Sequence, residues 1–301
     1  MTERIWFNGR VIPMSEAHVS VEDRGFQFAD GVYEVVRLYN GRPFALGAHL
    51  LRLERSAEGI ELQLPLSRQR LAEEIENFDV GLAEGMIYLQ VTRGVSPRNH
   101  LFPELSGRTH VEPTLLFYFR PLPPLPEVDA TPGVKLQSAA DERWQRCWIK
   151  SIALLPNVLA KNAAVAAGAD EAVYIDNGIV TECSASNFFA IINGALVTHP
   201  VGKKVLPGVT RAVMLELARN LDIDVQERPL TEREAISADE LLIASTTREI
   251  SWVSHWNGQP VRPGNFGPVG RRLLEALKHR VAESIGIGPQ RTPALAGMKM
   301  A

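Results

Sequence analysis

The first 46 residues alternate apolar and polar positions around two Asn-Gly pairs, Asn8-Gly9 and Asn40-Gly41. Asn-Gly flanked by alternating residues is the strongest short-range hairpin signal, because both residues tolerate the positive φ of a tight hairpin turn. The pattern predicts antiparallel strands over 5–12 and 32–46. In the second hairpin a period of two places Tyr33, Val35, Arg37 and Tyr39 on one face and Val32, Glu34, Val36 and Leu38 on the other. Residues 48–62 shift to a helical spacing through Leu50, Leu51, Leu53, Ala57 and Ile60, a helix that carries Arg52 and Arg55. Ser67 is placed to cap a further helix through Leu71, Ile75 and Phe78. Strands are expected from Met86 to Val91 and from Thr114 to Phe119, with a loop between them that carries Arg93, Arg98 and His100.

The run 120–126 holds four prolines in seven residues, which cannot join a helix or a central strand. It predicts a linker between an N-terminal α/β domain, 1–119, and a C-terminal domain, 127–286. Beyond the linker, strands are expected over 134–139 and 144–155, followed by an alanine-rich helix capped by Asn157 and ending at Gly168. Turns at Asp176-Asn177-Gly178 and Asn193-Gly194 predict a β-meander in which one continuous strand covers 179–192. A Pro-Gly turn at Pro207-Gly208 leads into a helix over 210–220. A buried strand then ends in Ser245-Thr246-Thr247, Asn257-Gly258 marks a turn, and 267–286 reads as an amphipathic helix. The tail 287–301, rich in Gly, Pro and Ala, is expected to be disordered.

Composition narrows the class. Of the 301 residues, 45% are hydrophobic and 22% charged, which a soluble two-domain globular protein requires and a disordered chain lacks. A net charge of −3 gives no pull toward nucleic acid or an anionic membrane, so a small-molecule partner is expected. Two cysteines, Cys147 and Cys183, without metal-ligand spacing, indicate neither a disulfide framework nor a metal site. There is no uncharged run long enough to span a bilayer and no apolar stretch after a basic start, so a cytoplasmic location is expected.

Lys150 stands in an apolar, aromatic-flanked stretch, where an ammonium group is costly to bury without a partner. It reads either as a lysine activated to form a Schiff base with a carbonyl, or as a strand-end lysine whose stem is covered and whose head reaches water. Glu182, among small hydroxyl residues, needs a cationic or N–H partner if buried. The turn before Thr210 offers free N–H groups, a hydroxyl and a helix dipole to an anion, and Ser245 and Thr246 add hydroxyls. Arg98 and His100 suit a carboxylate, or are a solvated basic loop.

The segments Asp23-Arg24-Gly25-Phe26-Gln27-Phe28-Ala29-Asp30-Gly31-Val32-Tyr33-Glu34, 91–100, 146–151, 181–187 and 245–247 occur in an order that resembles the class IV aminotransferases of pyridoxal 5'-phosphate fold type IV, most closely the D-amino-acid branch. The resemblance implies a smaller N-terminal α/β domain and a larger C-terminal pseudo-barrel. It implies Lys150 as the Schiff-base lysine and Glu182 as partner of the pyridine nitrogen. Arg52, Val209, Thr210, Ser245 and Thr246 would hold the cofactor, with Leu206 against its ring. Tyr33, Arg98 and His100 would trap the substrate carboxylate, the last two from the other subunit of a homodimer. The implied substrates are D-amino acids and 2-oxo acids. Branched-chain L-amino-acid or R-amine transaminases of the same class, and a non-catalytic cofactor-binding protein, are the alternatives. Cys183, where glycine is common, and Arg248, where a small polar residue is frequent, depart from the pattern.

Overall fold

A computed structural model describes residues 3–78, 81–106 and 111–286, so the expected disorder of 287–301 falls outside the described residues. The N-terminal hairpins form as their turns dictate. Asn8 and Asn40 adopt φ of 46° and 48°, and Gly9 and Gly41 follow at 85° and 75°. These hairpins, Arg4–Phe7 with Arg10–Pro13 and Gly31–Tyr39 with Arg42–Pro43, belong to one antiparallel sheet completed by Gly85–Thr92 and Thr114–Pro121. The last strand runs on through Arg120 and Pro121, the first two residues of the expected linker, because the ladder with Gly85–Thr92 extends to a Gly85/Pro121 pair at its end.

The helix Leu46–Glu58 lays its apolar stripe on this sheet, burying Leu50 and Leu53 against Val32, Val36 and Leu38. The following helix Arg68–Asn77 starts where Ser67 accepts the Arg70 N–H. The strand Gly31–Tyr39 therefore has one face on the helices and the other, with Tyr33 and Val35, free to look toward the rest of the chain.

The second sheet has ten strands. Its main path runs Val225–Glu227, Ala195–Thr198, Asn187–Ile192, Glu240–Ser245, Glu249–Trp256, Val134–Ala140, Glu171–Asp176, Ile179–Cys183 and Leu230–Thr231. Residues from both halves of that path share one core, in which Phe188 and Val197 pack with Val173, Val180, Leu230 and Trp256. The sheet is thus curled around its own interior, in keeping with the pseudo-barrel expectation. Helices Val209–Asn220 and Pro268–Ser284 cover its outside through Met214, Leu273 and Leu277.

Three local expectations are corrected. The run 179–192 is two strands separated by a bend at 184–186, because Ile179–Cys183 pairs with Glu171–Asp176 whereas Asn187–Ile192 pairs with Glu240–Ser245. Asn157 does not cap the alanine-rich helix. That helix begins earlier, at Leu155, with Pro156 in its first turn, and Asn157 Nδ2 donates to the Ser184 carbonyl instead. The stretch 144–155 is no strand, since its backbone bonds go to several elements and build no ladder.

Candidate active site

A cavity of about 830 Å³ opens between the two sheets, a volume suited to a cofactor with a small substrate. Lys150 lines it. The Lys150 N–H donates to Ser56 Oγ at 3.1 Å, its carbonyl accepts the Tyr33 N–H at 3.0 Å, and Ile152 N–H donates to the Gly31 carbonyl. Ile149 is buried in the helix-covered core beside it. These ties fix the backbone against two elements, and Nζ lies 4.1 Å from the Tyr33 ring centroid, in cation–π range. The strand-end reading of Lys150 does not hold, because the residue sits on an irregular crossing segment and its ammonium faces an aromatic wall of the cavity.

Glu182, at the end of Ile179–Cys183, also lines the cavity and is buried. Arg143 Nη1 donates to its Oε1 at 2.5 Å, while Asn187 Nδ2 and the Leu206 N–H donate to Oε2 at 3.0 and 3.1 Å. Burial raises the Glu182 carboxyl to about 7 despite the opposing charge and hydrogen bond of Arg143. Arg143 is held in turn by both oxygens of Asp141 and by the Lys204 carbonyl, and its guanidinium lies 4.3 Å from the Tyr174 ring centroid.

At another wall, Arg52 is buried between Glu34 and the turn that starts helix Val209–Asn220. Glu34 accepts from Arg52 Nε at 2.6 Å and Nη2 at 2.8 Å, and His49 Nδ1 lies 2.8 Å from the same carboxylate. Burial would raise the Glu34 carboxyl, but the Arg52 charge and the hydrogen bonds of Arg52 and His49 bring it down to about 2. Burial lowers the His49 imidazole against the opposing hydrogen bond and charge of Glu34. Arg52 Nη1 donates to the Pro207 carbonyl at 3.2 Å, which sets the guanidinium beside a helix N-terminus that has no side-chain cap. Arg52, Gly208, Val209, Thr210, Ser245 and Thr246 share the cavity wall. Guanidinium, free N–H groups and hydroxyls together suit a phosphate.

The residues fit pyridoxal 5'-phosphate by the chemistry of the donor set: the amine of Lys150, the buried carboxylate of Glu182, and the guanidinium, helix N–H groups and hydroxyls suited to a phosphate line one cavity.

Of the residues singled out in the sequence, Tyr33, Arg52, Lys150, Glu182, Leu206, Val209, Thr210, Ser245 and Thr246 line this one cavity. Arg98 and His100 do not. Both are exposed and lie on Phe28, the Arg98 guanidinium 4.4 Å and the His100 ring 5.5 Å from its centroid. Arg93 leaves their company altogether: it is buried on Asp30 and on the Ile60 and Glu61 carbonyls. Sequence reasoning missed Arg143, Asn187 and the Glu34–His49 support of Arg52. Glu34 alone carried a signal, a carboxylate on the apolar face of its strand.

The amino-transferase class IV family profile matches residues 31–256. The chain is 39% identical over 280 residues to a D-alanine aminotransferase of Bacillus licheniformis, covering 92% of this chain and 97% of that one. A D-alanine aminotransferase of Listeria monocytogenes is 40% identical over 286 residues, covering 94% and 98%. Among solved structures, a T.th. branched-chain amino acid aminotransferase with pyridoxamine 5'-phosphate superposes with a TM-score of 0.83 at 26% identity, over 96% of each chain. Matched by its profile over most of its length and by relatives of near-equal extent, the chain belongs to the class IV aminotransferase family.

Proposed function

We infer that the protein is a pyridoxal 5'-phosphate-dependent transaminase that exchanges the amino group between a D-amino acid and a 2-oxo acid, D-alanine with 2-oxoglutarate being the model pair. The observation that carries this reading is the joint placement of Lys150, Glu182 and the Arg52–Thr210–Thr246 anion seat on one cavity wall system, in a chain whose relatives of about 40% identity are D-alanine aminotransferases.

When bound, the cofactor supplies a ring that accepts electrons from the substrate's Cα. Lys150 would hold the cofactor and, with its amine free, would carry the proton removed from the substrate's Cα. Glu182, braced by Arg143, Asn187 and the Leu206 N–H, would partner the ring nitrogen. Arg52, the Val209 and Thr210 N–H groups, and the Ser245, Thr246 and Thr210 hydroxyls would hold the phosphate, and Leu206 would pack against the cofactor. Tyr33, whose ring lies beside the Lys150 ammonium, would take part in binding the substrate carboxylate.

Arg98 and His100 belong to the carboxylate site of a second copy. Both face outward from their own subunit, and among the described residues Arg98 has no ion-pair partner, so the loop is available to a neighbour's cavity. An exposed apolar surface, including Phe26, Leu155 and Leu159, supports a homodimer. The reading also takes 1–119 and 127–286 as two domains, each with its own sheet. It places the enzyme in the cytoplasm, where its two free, buried thiols suit a reducing environment. Among the described residues no helix is long and apolar enough to cross a membrane.

Mixing the cofactor-loaded protein with D-alanine, L-leucine or an R-amine tests the assignment. D-alanine is expected to bleach the visible cofactor absorbance fastest and to yield pyruvate. Faster bleaching by L-leucine or the amine would overturn the D-amino-acid reading.

A further inference from the structure

The segment 23–31 stands out in the sequence, yet of its residues only Ala29 lines the cavity. Its first half packs on the loop that carries Arg98 and His100. Asp23 is fully buried and caps the short helix Arg24–Phe28 by accepting the Gly25 N–H at 2.7 Å. Its other oxygen accepts the hydroxyls of Thr92 and Thr114, at the ends of the two strands that the loop joins. The helix is thereby fixed at the base of the loop.

Arg24 then reaches along the loop. The side chain is buried, with Nε on Asp30 Oδ2 at 2.8 Å and Nη1 on the carbonyls of Asn99, at 2.7 Å, and Leu101, at 3.3 Å. Those carbonyls flank His100 on either side. The Arg24 N–H donates to the Gly94 carbonyl, so the same residue also holds the loop's start. Asp30, which orients Arg24, is shared with Arg93 Nε and Nη2. Phe28, at the far end of the helix, has the Arg24 and Arg98 guanidiniums 4.8 and 4.4 Å from its ring centroid, with the His100 ring at its side.

We propose that Arg24 is a positioning residue for the substrate carboxylate: by gripping the backbone on both sides of His100 and sharing Phe28 with Arg98, it holds the two carboxylate-binding side chains in register before substrate arrives. The inference rests on the reading of Arg98 and His100 as the carboxylate site. Preorganisation of a binding loop reduces the ordering cost at the moment of binding, and both half-reactions use a carboxylate-bearing substrate. Arg24 touches neither substrate nor cofactor, so its loss acts on carboxylate binding and spares the chemistry at Lys150.

The test measures steady-state constants for D-alanine and 2-oxoglutarate in Arg24→Met, Arg24→Lys, Arg98→Ala and the double variant Arg24→Met/Arg98→Ala, all cofactor-loaded. Arg24→Met is expected to raise KM for both substrates about tenfold, about 1.4 kcal/mol in binding, with kcat within about threefold and the cofactor absorbance unchanged. Arg24→Lys, which keeps the cation but not the planar guanidinium that reaches Asp30 through Nε and the two carbonyls through Nη1, is expected to recover part of that loss. In the Arg98→Ala background, Arg24→Met is expected to raise KM less than it does in the parent, because it then acts through His100 alone and residues acting through one another are not additive. Raised KM in Arg98→Ala with unchanged KM in Arg24→Met, or fully multiplicative effects, would overturn this proposal alone. Unchanged KM in Arg98→Ala would overturn the carboxylate reading and the proposal with it. Should Arg24→Met fail to fold, Arg24→Lys decides between the same outcomes.

Discussion

Lys150 and Tyr33 are joined twice, by the Tyr33 N–H donating to the Lys150 carbonyl at 3.0 Å and by the Lys150 ammonium lying 4.1 Å from the Tyr33 ring centroid. The first contact fixes the lysine backbone to the strand Gly31–Tyr39, and the second aims its head into the cavity. The first does not depend on the lysine side chain. Lys150→Ala is therefore expected to fold with an unchanged melting temperature while turnover falls by about 10³-fold or more, since both the cofactor attachment and the proton carrier are lost. Circular dichroism and a D-alanine turnover assay check it; near-normal turnover would remove Lys150 from the chemistry.

Glu34 gives the clearest pH dependence. Its folded pKa, about 2, lies below the unfolded value of 4.5, so the stability it contributes is present above about 4.5 and is lost as pH falls through 2. A shift of this size corresponds to on the order of 3 kcal/mol. Glu34→Gln is expected to destabilise the protein at pH 7, with the gap to the parent shrinking as pH falls from 5 to 3 in urea titrations. Loss of the bidentate partner of Arg52 is also expected to weaken cofactor binding at least several-fold, measured by absorbance titration. A gap that stays constant with pH would show that the Glu34 carboxylate is not held by Arg52.

Arg143 joins Asp141 to Glu182 in a buried network. Arg143→Met leaves two buried carboxylates without their cation and is expected to cost about 3–5 kcal/mol, the range for breaking a buried pair. Adding Glu182→Gln should recover part of that loss, because one of the stranded charges is then gone. Denaturant melts of the two single variants and the double variant give the coupling; strictly additive losses would mean that Arg143 does not act through Glu182.

Gly94 opens the loop of Arg98 and His100 at φ 92°, and a Cβ there would collide with the Glu112 carbonyl oxygen. Backbone cannot move aside as a flexible side chain can. Gly94→Ala is expected to cost about 1–3 kcal/mol or more of stability, seen as a lowered melting temperature. An unchanged melting temperature would contradict the close approach.

Most of the cavity wall was legible in the sequence, through two different routes. Local chemistry pointed to the Asn-Gly hairpins, the helix Leu46–Glu58 with Arg52, and the helix that starts just before Thr210, because turn residues and apolar spacing act within a few residues of themselves. The roles of Lys150 and Glu182 needed the order of distant motifs. Where the expectation failed, long-range pairing was the reason: residues 179–192 divide between two partner strands, and Asn157 turns from its own helix to the Ser184 carbonyl.

By itself the sequence determined which residue types could hold a cofactor and a carboxylate, and that the fold would be mixed α/β with hairpins at its start. Only the tertiary structure decided that Arg143 and Asn187 brace Glu182, that Glu34 and His49 brace Arg52, and that Arg93 is a buried anchor while Arg98 stays outside. A buried charge must find its partner wherever the packed chain brings one: Glu34 lies 18 residues from Arg52, Arg143 39 from Glu182 and Asp30 63 from Arg93, beyond the reach of any local pattern.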